Sequence, residues 1–263
     1  MAYAVLGPRG TFSEEAANLY WGNRVELYAA GNIPELFALV DRGQVQGALV
    51  PIENSLAGSI NPTIECLLSS SISIIGEISM PIKQCLLAAG RYRLEDIELL
   101  ISQPAVLRQC NRFINQNLNQ IRTEITDSTA KAAEIVKRET KKAASIGNRR
   151  TAELYNLDII APGIENDNNI TRFIHISTET AENRGNKTSM FFTLPDRPGA
   201  LYKTLEVFAS RNLNLCKIES HPNRDKPGSY SFYIEIDTKN CNLKEVLDEL
   251  KTCCNYVKCL GSY

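Results

Sequence analysis

Asn166-Asp167-Asn168-Asn169-Ile170-Thr171-Arg172-Phe173 ends a long alternation of strands and helices and opens a new strand. A Pro-Gly turn, Pro162-Gly163, precedes it, and residues 171–176 alternate apolar with polar as a half-buried strand does. Four amide or carboxylate side chains in succession oppose regular helix and sheet, because each competes for its own backbone. The chain is thus held in a polar loop just ahead of a strand that carries a hydroxyl, Thr171, beside a guanidinium, Arg172. A guanidinium is a planar fork of donors suited to a carboxylate, and threonine is a small uncharged donor. A plain polar loop at a strand start explains this segment equally well, so the other polar stretches decide.

Working outward toward the N-terminus, residues 2–6 read as a strand and Gly7-Pro8-Arg9-Gly10 as a turn. Thr11 and Glu14 have the spacing of a capping box at a helix start, which makes an anion site that Arg9, Thr11 and Ser13 would suit. Residues 25–29 give a second strand, and Asn32, Pro34 and Glu35 open a helix to residue 40. Residues 44–50 give a third strand, followed by Pro51-Ile52-Glu53-Asn54-Ser55, Gly58-Ser59 and a helix from near Pro62. Such alternation predicts an α/β domain with a largely parallel sheet, whose ligands sit beyond the carboxyl ends of the strands. Asn54 and Ser55 fall at that edge. The apolar runs 73–82 and 85–89 read as long strands crossing from one lobe to another. A second α/β unit follows: strand 98–101, a helix from Ser102-Gln103-Pro104 through Phe113 bearing Gln109, and strand 121–125. Asp127-Ser128-Thr129 then caps a helix to about residue 138, and strand 143–146 ends at Gly147-Asn148 before a helix around Leu154 and strand 157–161. Two lobes with a cleft between them result, lined by strand ends and helix N-termini. After a polar linker, 178–186, strands and helices recur in the order βαββαβ over residues 188–260, the ferredoxin-like plan, for which about 75 residues suffice.

With 263 residues the chain can hold more than one domain, and a formal net charge of -1 supplies no global field for nucleic acid or a membrane surface. The N-terminus lacks the pattern of a signal peptide and no apolar run reaches membrane-spanning length, which predicts a cytoplasmic protein. Cys66, Cys85, Cys110 and Cys216 read as small buried hydrophobes. Cys241, Cys253, Cys254 and Cys259 have no Cys-x-x-Cys pair or nearby histidine, so reduced thiols and no metal site are expected.

The polar residues gathered at cleft positions are Thr11, Ser13, Asn54, Ser55, Gln109, Ser128, Thr129, Asn148, Thr171 and Arg172. The two histidines, His175 and His221, lie outside this set, which argues against Ser-His-Asp or Cys-His chemistry. Phosphate-binding glycine motifs are missing as well. A neutral, donor-rich site remains, suited to a small dicarboxylate whose reaction needs orientation and one modest proton donor.

In this order the segments resemble prephenate dehydratase over nearly the whole chain. The resemblance rests on Gly7 to Glu14, on Pro51-Ile52-Glu53-Asn54-Ser55 with Gly58-Ser59, and on Asn169-Ile170-Thr171-Arg172-Phe173. Asp127-Ser128-Thr129-Ala130 and Ile146-Gly147-Asn148 are similar to two lesser signatures. Pro198-Gly199-Ala200-Leu201 and Lys217-Ile218-Glu219-Ser220 resemble an ACT regulatory domain. The resemblance implies a periplasmic-binding-protein-like catalytic domain over residues 1–178, with one lobe at about 1–80 and 160–178 and the other at about 81–159, and an ACT domain over 187–263. It implies conversion of prephenate to phenylpyruvate without a cofactor, feedback by L-phenylalanine, and assembly as a homodimer or homotetramer. By similarity Thr171, Asn54 and Gln109 are the catalytic residues, and Thr11, Ser13, Ser55, Ser128, Thr129, Asn148, Arg172 and Phe173 bind substrate. Arg172 is expected to hold or shield a carboxylate, and Glu53 to be a structural hydrogen-bond acceptor in preference to a general acid. The effector set is Pro198, Gly199, Ala200, Leu201, Glu219, Ser220 and His221.

Two departures stand out. Ser102-Gln103-Pro104-Ala105 replaces a Ser-His-Pro-Gln motif, a change expected on a lobe surface. His221 replaces an arginine in Glu-Ser-Arg-Pro, which removes donors and makes charge depend on pH. Arogenate, with an amino group for the keto group, is a second candidate substrate, and a catalytically silent two-lobed amino-acid sensor is the alternative of another class.

Overall fold

A computed structural model describes residues 2–139, 141–179, 185–222, 230–239 and 241–263. The linker 178–186 and the strand expected from Ser229 fall partly outside these residues.

The first lobe contains β1 (Ala2–Leu6), α1 (Phe12–Trp21), β2 (Glu26–Ala30), α2 (Ile33–Asp41), β3 (Ala48–Asn54), β4 (Gly58–Ser59), α3 (Asn61–Ser69) and β5 (Ser73–Pro81). The chain then crosses to β6 (Cys85–Ala88), β7 (Leu99–Ser102), α4 (Pro104–Gln109), α5 (Asn111–Asn117), β8 (Arg122–Ile125), α6 (Thr129–Arg138), β9 (Ala143–Gly147), α7 (Arg149–Tyr155) and β10 (Asp158–Pro162). It returns as β11 (Ile170–Ser177), the strand opened by the polar octet. The third unit is β12 (Lys187–Thr193), α8 (Ala200–Ala209), β13 (Leu215–Pro222), β14 (Tyr230–Asp237), α9 (Leu243–Cys253) and β15 (Tyr256–Ser262), with sheet order β13-β14-β12-β15.

The first sheet has the order β2-β1-β3-β11-β5, and the second β10-β6-β9-β7-β8. Neither is largely parallel. β11 runs antiparallel to both β3 and β5, and β6 antiparallel to both β10 and β9. These are the strands that enter a lobe from the other lobe, so their direction is set by the crossing and not by a helical return. β3 also runs on through Pro51, past its expected end. A proline has no N–H for the ladder, and the register with β11 shifts there, between Arg172 and Phe173. The helix expected to reach Phe113 breaks at Cys110 into α4 and α5.

α2 is capped as expected: Asn32 accepts the Glu35 N–H at 2.9 Å, and Glu35 accepts the Gly31 N–H at 2.7 Å. The capping box expected at Thr11 does not form. Its hydroxyl donates to the Leu6 carbonyl at 3.1 Å, while Glu14 accepts the N–H of Gly10. The first N–H groups of α1 are therefore left uncapped by a side chain.

The helix-free face of the third sheet packs on the first lobe. Phe191, Tyr233 and Leu260 belong to the same buried apolar cluster as Ile52, Ile72 and Ile174. Full burial of a large apolar side chain stabilises by about 1.5–3 kcal/mol, so this seam holds the units together. β15 comes against β5, and Gly261, at φ 135°, makes the approach feasible: a Cβ there would lie 2.1 Å from the Ile74 carbonyl oxygen. Lys258 reaches across to the last carbonyls of α3, donating to Leu67 at 2.6 Å and Leu68 at 3.2 Å, and also to Ser70. Cys216, expected inside, is exposed on edge strand β13.

Candidate active site

The polar octet is the staple between the two lobes. Asn166 binds the second lobe, its N–H donating to the Gln109 carbonyl at 2.6 Å, and Asp167 pairs with Arg112 at 2.8 Å. Asn168 and Ile170 bind the first lobe through Ser55, whose hydroxyl donates to the Asn168 carbonyl at 2.5 Å and accepts the Ile170 N–H at 2.9 Å. Ser55 thus secures the loop and is absent from the cavity wall.

Between the lobes lies a cavity of about 690 Å³, within the usual range for a small-molecule site. Thr11, Ser13, Gln109, Ser128, Thr129, Thr171 and Phe173 all line it. The N-terminus of α1 enters from the first lobe beside Arg9, and that of α6 from the second, where Ser128 accepts the Lys131 N–H at 3.0 Å. Each helix start favours an anion. Sequence reasoning missed Gln84 and Asp127 as lining residues. Gln84 sits in the short crossing between lobes, where no periodicity points to a face. Gln103 and Ala105 line the cavity too, so this departure from the motif lies on the cleft wall and not on an outer surface.

Thr171 and Asn54 are register partners on β11 and β3, and the Asn54 Nδ2 donates to the Thr171 Oγ1 at 2.9 Å. Asn54 cannot be flipped. Its Oδ1 accepts the backbone N–H groups of Leu56 at 3.1 Å and Ala57 at 3.0 Å, which fixes Nδ2 toward Thr171. The threonine hydroxyl keeps its own proton for an acceptor in the cleft. Asn54 Nδ2 also donates to Asn169 Oδ1 at 2.7 Å, and Asn169 Nδ2 donates to Gln109 Oε1 at 3.2 Å. Gln84 Nε2 donates to that same Gln109 oxygen at 3.3 Å. Thr171, Asn54 and Gln109, the trio expected from sequence, are therefore joined through Asn169 in one hydrogen-bonded chain. Beside Gln109, burial pushes the Cys110 thiol up to about 12, leaving it inert as a nucleophile.

Arg172 does not reach the cleft. Successive residues of a strand face opposite ways, and the guanidinium points to the back of the sheet. There it donates to Glu53 and Glu77, both at 2.9 Å, and to Glu235 of the third unit at 2.6 Å. This corrects the expectation that it holds a substrate carboxylate. Burial alone would depress its ionisation, but Glu235 and Glu53 hold the guanidinium firmly charged. Glu53 sits on the same back face. Burial opposes its charge, yet hydrogen bonds from Arg172 and Lys217 keep its carboxyl below the usual value, as befits a structural acceptor.

Asn148 is also off the cavity wall. It caps α7 by accepting the Thr151 N–H at 2.7 Å and donates to Glu15 of α1 at 3.4 Å, while Thr151 donates to the Gly10 carbonyl at 2.9 Å. These bonds tie the lobes together at a second place.

The effector set is split by the same alternation. Ser220 pairs with Phe232, which packs under the helices, and Gly199, at φ 79°, starts α8 after Pro198 and before Ala200 and Leu201. Glu219 and His221 face the first lobe instead, Glu219 accepting from Ser59 at 2.5 Å and lying 3.6 Å from His221.

A model of the prephenate dehydratase family matches residues 3–181, and one of the ACT domain residues 188–255. The chain is 36% identical over 274 residues to the prephenate dehydratase of Lactococcus lactis subsp. lactis strain IL1403, covering 100% of this chain and 97% of that one. It is 33% identical over 280 residues to arogenate dehydratase 2 of Petunia hybrida, covering 99% and 71%. The crystal structure of a prephenate dehydratase in complex with L-Phe from Arthrobacter aurescens superposes with a TM-score of 0.89 at 30% identity, covering 99% and 89%. Likeness of this extent, running through both lobes and on into the third sheet, assigns the chain: it belongs to the prephenate dehydratase family, with an ACT domain following its catalytic lobes.

Proposed function

We propose that this protein converts prephenate to phenylpyruvate, water and carbon dioxide, under feedback control by L-phenylalanine. The observation that carries the reading is the Asn54-to-Thr171 hydrogen bond, 2.9 Å long, at a cleft into which two helix N-termini open from opposite lobes. The substrate is a dicarboxylate, and each helix start supplies N–H groups for one carboxylate, with Arg9 beside the first. Loss of carbon dioxide pushes an electron pair into the ring and toward the departing hydroxyl, and aromatisation drives the step. No base has to remove a proton from carbon, and the redox-neutral reaction calls for no cofactor. Thr171, oriented by Asn54, donates toward the leaving oxygen, where charge develops. Gln109 completes the polar wall.

The ACT domain provides the effector site. β13 is an edge strand, and among the described residues no strand pairs with its outer side. A second copy pairing there would bring two α8 N-termini and two Ser220 residues to one seam, in a dimer or tetramer.

The test is phenylpyruvate formation by the purified protein from prephenate, with and without L-phenylalanine. Turnover suppressed by phenylalanine is the expected result. Turnover with arogenate in place of prephenate would move the assignment to the amino substrate, and turnover of neither would sink it.

A further inference from the structure

Gln84 is 1% exposed, lines the cleft, and carries an oxygen, Oε1, without a hydrogen-bond partner among the described residues. Its orientation is dictated from a distance. Backbone N–H groups fix Asn54, Asn54 fixes Asn169, and Asn169 turns the Gln109 oxygen toward the Gln84 amide nitrogen. A flipped Gln84 would set its oxygen against the Gln109 oxygen. The chain of amides therefore ends, by construction, on a buried acceptor waiting for a donor, and a buried acceptor left unpaired is costly unless a ligand satisfies it.

We propose that Gln84 Oε1 receives the ring hydroxyl of the substrate and fixes which way the leaving oxygen faces. This rests on the prephenate reading above. At neutral pH prephenate carries two carboxylates and a keto group, all acceptors, and its ring hydroxyl is its one hydrogen-bond donor. One donor on the substrate meets one orphaned acceptor in the site. With its proton held by Gln84, the hydroxyl presents a lone pair to the proton of Thr171. In the reaction the bond from the ring to the carboxylate breaks and releases carbon dioxide, and its electron pair enters the ring. The ring carbon–oxygen bond breaks in the same sense, and the oxygen leaves as water with its own proton and one drawn from solvent. Gln84 exchanges no proton and acts by position alone.

Gln84→Met removes the acceptor at similar length and volume. The expected result is a loss of roughly 10- to 100-fold in kcat/KM for prephenate, with inhibition by phenylpyruvate, which has no ring hydroxyl, unchanged. The melting temperature should change little, because the unpaired buried acceptor goes together with the long bond from the amide nitrogen to Gln109. If wild type turns over substrate and Gln84→Met does so equally well, this proposal fails while the functional assignment stands. A defect shared equally by prephenate and phenylpyruvate, with a lower melting temperature, would reduce Gln84 to a structural role. A defect confined to arogenate would place the oxygen on the amino group and overturn the proposal. If wild type converts neither prephenate nor arogenate, the assignment itself has failed.

Discussion

Thr171 and Arg172 are neighbours in the chain yet serve opposite faces of one strand. Toward the cleft the chemistry is neutral: a hydroxyl and a run of amides, each oriented by the next, ending at Gln84. Toward the third sheet it is ionic, with Arg172, Lys187 and Lys217 facing Glu53, Glu77 and Glu235. The lesson is a division of labour. Charge is placed where it joins domains, and the cleft side of this strand pair is kept uncharged, so that it can meet a dianion without a fixed cation competing for the leaving group.

The largest effect should come from breaking the ionic face. Arg172→Met would leave Glu235, 3% exposed, without its hydrogen-bonded cation and with Lys187 3.9 Å away, and denaturant unfolding should show a loss of about 3–5 kcal/mol. Adding Glu235→Met should restore much of it, because replacing both partners spares the buried charge. The neutral face should respond in kinetics alone. Thr171→Val is expected to lower kcat by about 100- to 1000-fold with an unchanged melting curve; a protein that unfolds instead would make the two faces alike.

Further along the cleft side, His175 packs against Tyr3, Tyr20 and Trp21, with ring centroids 5.8, 5.5 and 5.0 Å away. Burial pushes its imidazole from 6.5 down to about 4. Between those values the unfolded chain binds a proton that the folded one excludes, so stability falls as pH drops through that window. The loss approaches roughly 3 kcal/mol at its lower end. Urea melts at pH 7 and 5 should differ in that sense, and His175→Phe should flatten the difference. The acidic contribution of Glu53, held below the usual carboxylate value, belongs to lower pH. Smallest should be Gly261→Ala, which meets the Ile74 carbonyl at the domain seam: about 1–3 kcal/mol of stability, with substrate KM unmoved.

Much of this was legible in the sequence. The motif residues Thr171, Asn54 and Gln109 come together, because strand ends and the inter-lobe loop are marked by local turn chemistry. Arg172 was not legible. It was expected on the cleft beside Thr171, although successive residues of a strand face opposite ways; what covers its true face is Glu235, 63 residues further on, and no local pattern announces such a partner. The sheet direction failed for a related reason: β6 and β11 are set by crossings between lobes, whereas local strand–helix alternation speaks only for returns within one. Gln84 was missed because its meaning lies in a hydrogen bond that is not made.

The seam beneath Phe191, Tyr233 and Leu260 also bears on how such proteins recombine. A chain cut after residue 178 would present Ile52, Ile72 and Ile174 to water beside an Arg172 stripped of Glu235, a surface primed for self-association. The catalytic lobes and the regulatory sheet are therefore not interchangeable cassettes. Any transplanted regulatory domain would have to carry its own match to this face, an acid for Arg172, a base for Glu53 and a glycine where the two backbones meet.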